Sequence, residues 1–169
     1  KGVYLYAFSV SSFEGSNSFN SFINDSIVSC YYGFHLENTT STQSLYDSSN
    51  VIKGENGGRC YVSGIFGGTP TVYGIYATNQ RNLNFSRIIM DSITVTTGNV
   101  YGIYVGGIYT TGDVYNNEIT KLYSRGGTVN TCGIYSIYSR QMNIYSNTVT
   151  NIFYYGTGTG TASGIYSNG

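Results

Sequence analysis

Tryptophan is absent from this 169-residue chain, proline occurs once and methionine twice. Charge is scarce: eight Lys+Arg stand against eight Asp+Glu, 9% of residues where about 25% is usual. Leucine (five) and alanine (three), two of the best helix formers, are nearly missing. That shortage excludes helix bundles, coiled coils and Rossmann-like α/β domains. The eight basic residues are scattered rather than clustered, which argues against a nucleic-acid partner, because a phosphate backbone is held by grouped Lys and Arg. No run of 18 apolar residues occurs, so no segment reads as a membrane-inserted helix. Three cysteines are too few for a disulfide-built scaffold, and too widely spaced for a zinc site. The chain opens on Lys1 and closes at Ser167-Asn168-Gly169 in mid-pattern, and is read as a processed protein or an excised segment.

What is present is β-forming. Twenty-eight residues are Val or Ile, 19 are Tyr and 23 are Gly, the profile of a chain that fits a pleated surface. A short unit, Gly then an apolar residue then usually an aromatic, occurs seven times: at Gly2, Gly33, Gly64, Gly74, Gly102, Gly133 and Gly164. Four of the intervals (Gly2 to Gly33, Gly33 to Gly64, Gly102 to Gly133, Gly133 to Gly164) are 31 residues long.

Between these glycines lies a second unit. Val114-Tyr115-Asn116-Asn117-Glu118-Ile119-Thr120 matches Ile144-Tyr145-Ser146-Asn147-Thr148-Val149-Thr150 in type, and Leu45 to Val51 repeats the pattern with one residue added. Phe19 to Ile27 aligns with Phe85 to Ile93, so that Asp25-Ser26-Ile27 falls on Asp91-Ser92-Ile93. Each repeat reads as strand, turn, strand and a Gly/Thr/Ser-rich connection. Such units bury their apolar faces only by stacking on one another. The reading is an all-β, right-handed parallel β-helix over residues 1–169, with five to six coils of roughly 31 residues. A loop insertion is placed at 53–72, and either Gly64 or Gly74 starts the third coil.

Alternation directs the Ile of Gly-Ile-Tyr inward and the Tyr outward. The glycines fit a corner that needs φ > 0 or lacks room for a Cβ. Asn117 and Asn147 are expected to tolerate a left-handed turn and to hydrogen-bond to each other.

Gly-Ile-Tyr, then Val/Ile-Tyr-x-Asn-x-Ile/Val-Thr, then a Gly/Thr-rich loop, resembles the parallel β-helix repeats of secreted bacterial proteins. It is especially similar to the tyrosine-rich version in surface proteins of Bacteroidetes exported by type IX secretion. The resemblance covers nearly the whole chain and implies an extracellular or cell-surface location. Asp25-Ser26-Ile27 and Asp91-Ser92-Ile93 also resemble the O-glycosylation signal of that phylum, implicating Ser26 and Ser92; a repeated turn explains them as well.

Enzymes on this scaffold need clustered carboxylates, to hold Ca²⁺ or to work as an acid–base pair. Here Glu14, Asp25, Glu37, Asp47, Glu55, Asp91, Asp113 and Glu118 are dispersed, with no Asp-x-Asp element. No catalytic residue, metal or cofactor is assigned. His35 reads as a ring standing in for the repeat tyrosine. Cys30 and Cys60, 30 residues apart, are candidates for a bridge between neighbouring coils.

The candidate recognition surface is aromatic: Tyr76, Tyr104, Tyr135 and Tyr166 recur at one position, and Tyr46, Tyr115 and Tyr145 at another. Amphipathic rings suit sugars and protein surfaces alike, and stacked rings also simply stabilise a solenoid. Thr94, Thr96, Thr148, Thr150 and Thr157 share no register, which disfavours an ice-binding face. The function expected is a non-catalytic structural or adhesive segment that meets glycans or surface components and self-associates through its ends. The alternative is a carbohydrate-active β-helix whose catalytic residues lie outside these residues.

Overall fold

In the computed structural model, residues 2–7, 17–40, 42–68 and 71–168 are described. They form a parallel β-solenoid of about five turns. Among them there is no α-helix, only one 3₁₀ turn at Gln43–Leu45.

Three parallel sheets run along the rod. The first holds six strands, Val3–Ala7, Tyr32–Asn38, Val72–Thr78, Val100–Gly106, Asn130–Ile137 and Thr161–Asn168. The second holds Ser21–Ile23, Val51–Lys53, Leu83–Ser86, Thr111–Tyr115 and Gln141–Tyr145. The third holds Ser26–Val28, Cys60–Gly67, Ile88–Val95, Glu118–Ser124 and Thr148–Tyr154. Every strand pairs with its counterpart one coil away, so the rise per coil is the inter-strand spacing of about 4.8 Å. The two short strands Asp47–Ser48 and Gln80–Arg81 pair separately.

Inward side chains make the core. Phe34, Ile75, Ile103 and Ile134 form one stacked file of the first sheet, all fully buried. Ile52, Phe85 and Val114 do the same in the second sheet, and Ile65, Ile93 and Leu122 in the third. The inward direction expected for the Gly-Ile-Tyr isoleucines holds, although Ile165, on the last coil, is 50% exposed.

The glycines of that motif are required by close approach. A Cβ on Gly74 would lie 2.6 Å from the Gly102 carbonyl oxygen and 2.9 Å from Ile93 Cδ1 and Met90 Sδ. Gly102 and Gly133 would meet the next carbonyl in the file at 2.5 and 2.6 Å. Their φ angles are negative or extended, so the alternative of a left-handed corner is not the reason here.

Left-handed residues instead make a column of their own in the third sheet: Gly64, Ser92, Lys121 and Asn151, with φ of 61°, 59°, 55° and 54°. They stand opposite one another in the register and bend the four longer strands at the same place. Gly64 therefore lies in mid-strand of the third sheet, and Gly74, opposite Gly33 and Gly102, belongs to the repeat.

The insertion expected at 53–72 is confined to the stretch between Lys53 and Cys60. Ser21 faces Val51 thirty residues on, Ser26 faces Tyr61 thirty-five on, and Tyr32 faces Tyr73 forty-one on. Five residues are thus added between Lys53 and Cys60. Ser63 to Tyr73 spans ten residues like Asp91 to Tyr101, so the other six are missing from the first coil, where Val28 reaches Tyr32 in four. The strand Cys60–Gly67 is a full member of the third sheet.

Candidate functional site

The outward face of the first sheet carries a continuous file of rings: Tyr4, His35, Tyr76, Tyr104, Tyr135 and Tyr166 are opposed in register. Tyr76 stacks on Tyr104 (centroids 5.2 Å, 17°), Tyr104 on Tyr135 (5.4 Å, 17°) and Tyr135 on Tyr166 (4.8 Å, 9°). These separations match the coil rise, so the backbone sets the stacking distance. His35 takes the tyrosine position as expected. It is 7% exposed, edge-on to Tyr4 and Tyr76 at 4.6 and 4.7 Å, with Nε2 2.7 Å from Glu37 Oε2.

A second file was not anticipated. Tyr32, Tyr73 and Tyr101 stack at 5.2 and 5.4 Å and lean on the first file, with Tyr73–Tyr76 and Tyr101–Tyr135 both at 4.9 Å. Each is the residue just before the repeat glycine, and the recurring Tyr-Gly dipeptides at 32, 73 and 101 were the available signal. In the next two coils Cys132 and Ser163 take this place. The smaller side chains leave a hollow of about 240 Å³ beside Tyr135 and Tyr166, rimmed by Asn130 and Thr161.

Packing alters the phenols. Burial, then the neighbouring Tyr76, Tyr135 and Tyr101, pushes Tyr104 up to about 12. Tyr73, with Tyr32, Tyr76 and Tyr101 around it, is raised still further, again mainly by burial. Because ring faces cover ring faces, the inner members of the file present edges and hydroxyls outward.

Tyr115 and Tyr145 stack at 5.0 Å and 3° on the second sheet, as the repeat predicted. Hydrogen bonds with Ser86 and Asn84 lower the Tyr115 phenol below its ordinary range. Tyr46 does not join them. It is 3% exposed, lies before Asp47–Ser48 and packs on Tyr109 at 6.5 Å, while the register places Lys53 in the coil position of Tyr115.

Comparison with known protein families, curated proteins and solved structures finds no match to this chain. The site is read on its own geometry.

Other sequence expectations need correction. Phe85 faces Ile52 and through it Phe22, so the alignment of Phe19–Ile27 with Phe85–Ile93 was three residues out of register. Asp25 and Asp91 therefore hold different positions. Ser26 begins a strand and is exposed, whereas Ser92 is half-buried at the left-handed bend. Cys30 and Cys60 form no bridge. Cys60 stands opposite Asp25 and Cys30 beside Phe66, at opposite ends of the paired strands, because the five-residue insertion shifts the local offset to 35. Their thiols instead donate to backbone oxygens, Cys30 Sγ to Tyr32 at 2.9 Å and Cys60 Sγ to Lys53 at 3.1 Å.

The carboxylates are dispersed among separate partners. Glu37 meets His35, Glu55 meets Lys53, Glu118 meets Arg59 and Asp91 meets Lys121. Asp113 accepts from Asn143 Nδ2 at 2.9 Å. Asp47 is fully buried and accepts from the Asn17 N–H, Asn38 Nδ2 and Gln80 Nε2 at 2.9, 2.9 and 3.2 Å. Glu14 lies outside the described residues. Among the described residues no group of three or more His, Cys, Asp or Glu side chains is arranged to hold a metal ion. A polar groove of about 400 Å³ between the second and third sheets is lined by Arg59, Arg87, Asn116, Glu118 and Ser146, a feature the repeat pattern did not announce.

Proposed function

We propose that this segment is a non-catalytic structural rod of a secreted or cell-surface protein, whose outer tyrosine face makes weak, repeated contacts with glycans or neighbouring surface molecules. The observation that carries the reading is the ring file from Tyr4 to Tyr166, which turns the first sheet into a regular outer surface of edges and hydroxyls. One such contact is weak, but repetition along a rigid rod raises the effective concentration of each next contact. Six of the seven described carboxylates, all but the exposed Asp25, are engaged individually by ion pairs or by backbone and amide donors, which supports a structural rather than hydrolytic role.

Sugar stacking needs a free ring face. The hollow beside Cys132 and Ser163, walled by Tyr135 and Tyr166, is where this reading seats a saccharide. The bacterial setting, a type IX-exported surface protein modified at Ser26 or Ser92, rests on the repeat and tripeptide resemblances.

A glycan array probed with and without Ca²⁺ tests the reading. Low-affinity binding that survives chelation, and that falls in Tyr166→Ala and in Cys132→Tyr with β circular dichroism intact, is expected. Ca²⁺-dependent binding accompanied by depolymerisation of a polysaccharide would overturn it.

A further inference from the structure

We propose that the tyrosine files of the first sheet are a site of oxidative cross-linking, in which neighbouring coils become joined ring to ring as dityrosine. The proposal goes beyond the binding role above and does not depend on it.

Reactive partners are already in contact. From Tyr32 to Tyr166 the rings form one connected network with centroid separations of 4.8–5.5 Å. The chain contains no tryptophan. Of the side chains that compete for a one-electron oxidant, Met90, Cys60 and Cys132 are buried, with exposures of 0%, 0% and 2%, and Cys30 and Met142 are part-buried. Phenol edges, by contrast, face outward along the rod. Contacting partners within each file belong to adjacent coils, so a link along a file would staple one turn of the solenoid to the next, whereas Tyr73–Tyr76 and Tyr101–Tyr104 lie within one coil.

The chemistry balances with an external one-electron oxidant, such as a peroxidase using hydrogen peroxide. Two phenols each lose one electron and the hydroxyl proton, the proton passing to water. The resulting phenoxyl radicals carry spin on the carbons ortho to oxygen, and two such carbons form the new C–C bond. Each coupled carbon then gives up its hydrogen as the ring regains aromaticity and its oxygen is reprotonated. Per link, two ring C–H bonds are broken, one C–C bond is formed, and two electrons and two protons leave. A radical formed at an exposed ring can pass to a buried neighbour through the contacts, so every member of the network is reachable. Holding the rings in contact favours coupling inside one molecule over coupling between molecules.

The test is brief photo-oxidation of dilute folded protein with tris(bipyridine)ruthenium(II) and persulfate, in which the photogenerated ruthenium(III) takes one electron at a time. Trypsin then separates the file, leaving Tyr76 in peptide 60–81, Tyr104 in 88–121, Tyr135 in 126–140 and Tyr166 in 141–169. Joined peptides two hydrogens lighter than their sum, with tandem mass spectra placing the links at Tyr76–Tyr104, Tyr73–Tyr101, Tyr104–Tyr135 and Tyr135–Tyr166, are expected. Guanidinium-unfolded protein should lose that pattern. Tyr104→Phe removes two of the three stacked phenol pairs between Tyr76 and Tyr166, and intramolecular dityrosine should fall by about half or more. Tyr138→Phe, at a ring 64% exposed, should leave it unchanged. Links concentrated at Tyr61, Tyr138 and Tyr155, or purely intermolecular links in the wild-type protein, would overturn the proposal whatever the variants do.

Discussion

Asn117 and Asn147, 30 residues apart in sequence, are joined side chain to side chain: Asn117 Nδ2 donates to Asn147 Oδ1 at 2.9 Å. The same Oδ1 accepts the Asn117 backbone N–H at 3.1 Å, and Asn117 Oδ1 accepts from the Ile88 N–H at 3.0 Å. Asn117 is 2% exposed, so its amide saturates a turn interior that water does not reach. The left-handed angle falls on the preceding residues, Asn116 at 55° and Ser146 at 53°, so turn conformation and ladder bonding are divided between adjacent positions.

Asn117→Leu leaves the Ile88 N–H and the Phe85 carbonyl without their amide partner. A loss of about 2–3 kcal/mol is expected, read as a lower urea midpoint at unchanged slope.

The glycine file offers a paired test. Gly74→Ala must push a Cβ against the Gly102 carbonyl at 2.6 Å, where the obstacle is backbone, whereas a Cβ on Gly164 meets only Val149 Cγ1 at 3.9 Å. Thermal melts should show Gly74→Ala destabilised by at least about 1–3 kcal/mol and Gly164→Ala close to wild type.

Two aspartates should differ sharply. Asp47→Ala strips three donors of a buried acceptor and is expected to cost about 3–5 kcal/mol. Asp91→Ala removes a pair with Lys121 at 3.2 Å whose side chains are 34% and 49% exposed, worth about 0–1 kcal/mol. Denaturant titration of both proteins in parallel measures the contrast.

Alkaline pH should unfold the rod through its tyrosines. Tyr104 is raised from 10.0 to about 12 in the folded protein, so between those values the native state holds its proton while the unfolded chain releases it. The stability is complete below the unfolded pKa and declines as pH rises toward the folded one. Tyrosinate absorbance should rise together with the loss of β circular dichroism. Absorbance completing its rise while the β signal stays intact would contradict this.

The thiols should be slow. Burial pushes Cys132 up to about 12 and also raises Cys30 and Cys60, and it is the thiolate that reacts. Ellman's reagent at neutral pH should find three thiols at once in guanidinium, but label the native protein much more slowly, Cys132 last. A count of one in guanidinium without reductant would mean that two of the three are bridged, contrary to the free thiols of this structure.

By itself the sequence determined the solenoid. The equal spacing of Gly-Ile-Tyr, and the match of Val114–Thr120 to Ile144–Thr150, repeat in the chain because coils stack on copies of themselves. Inward isoleucines, outward tyrosines and the Asn117–Asn147 bond followed from alternation and side-chain chemistry. Register in the irregular coils was decided only in three dimensions. Alignment by residue type could not see how many residues each connection holds (five added between Lys53 and Cys60, only four from Val28 to Tyr32, and eighteen from Phe34 to Ile52 against ten from Ile75 to Phe85), and it paired Asp25 with Asp91, Cys30 with Cys60 and Tyr46 with Tyr115. The second tyrosine file was likewise hidden, since Tyr73 and Tyr76 come together only where the chain bends at Gly74. Short-range pattern records what one coil needs; which side chains meet between coils depends on how many residues each loop spends before the next strand begins.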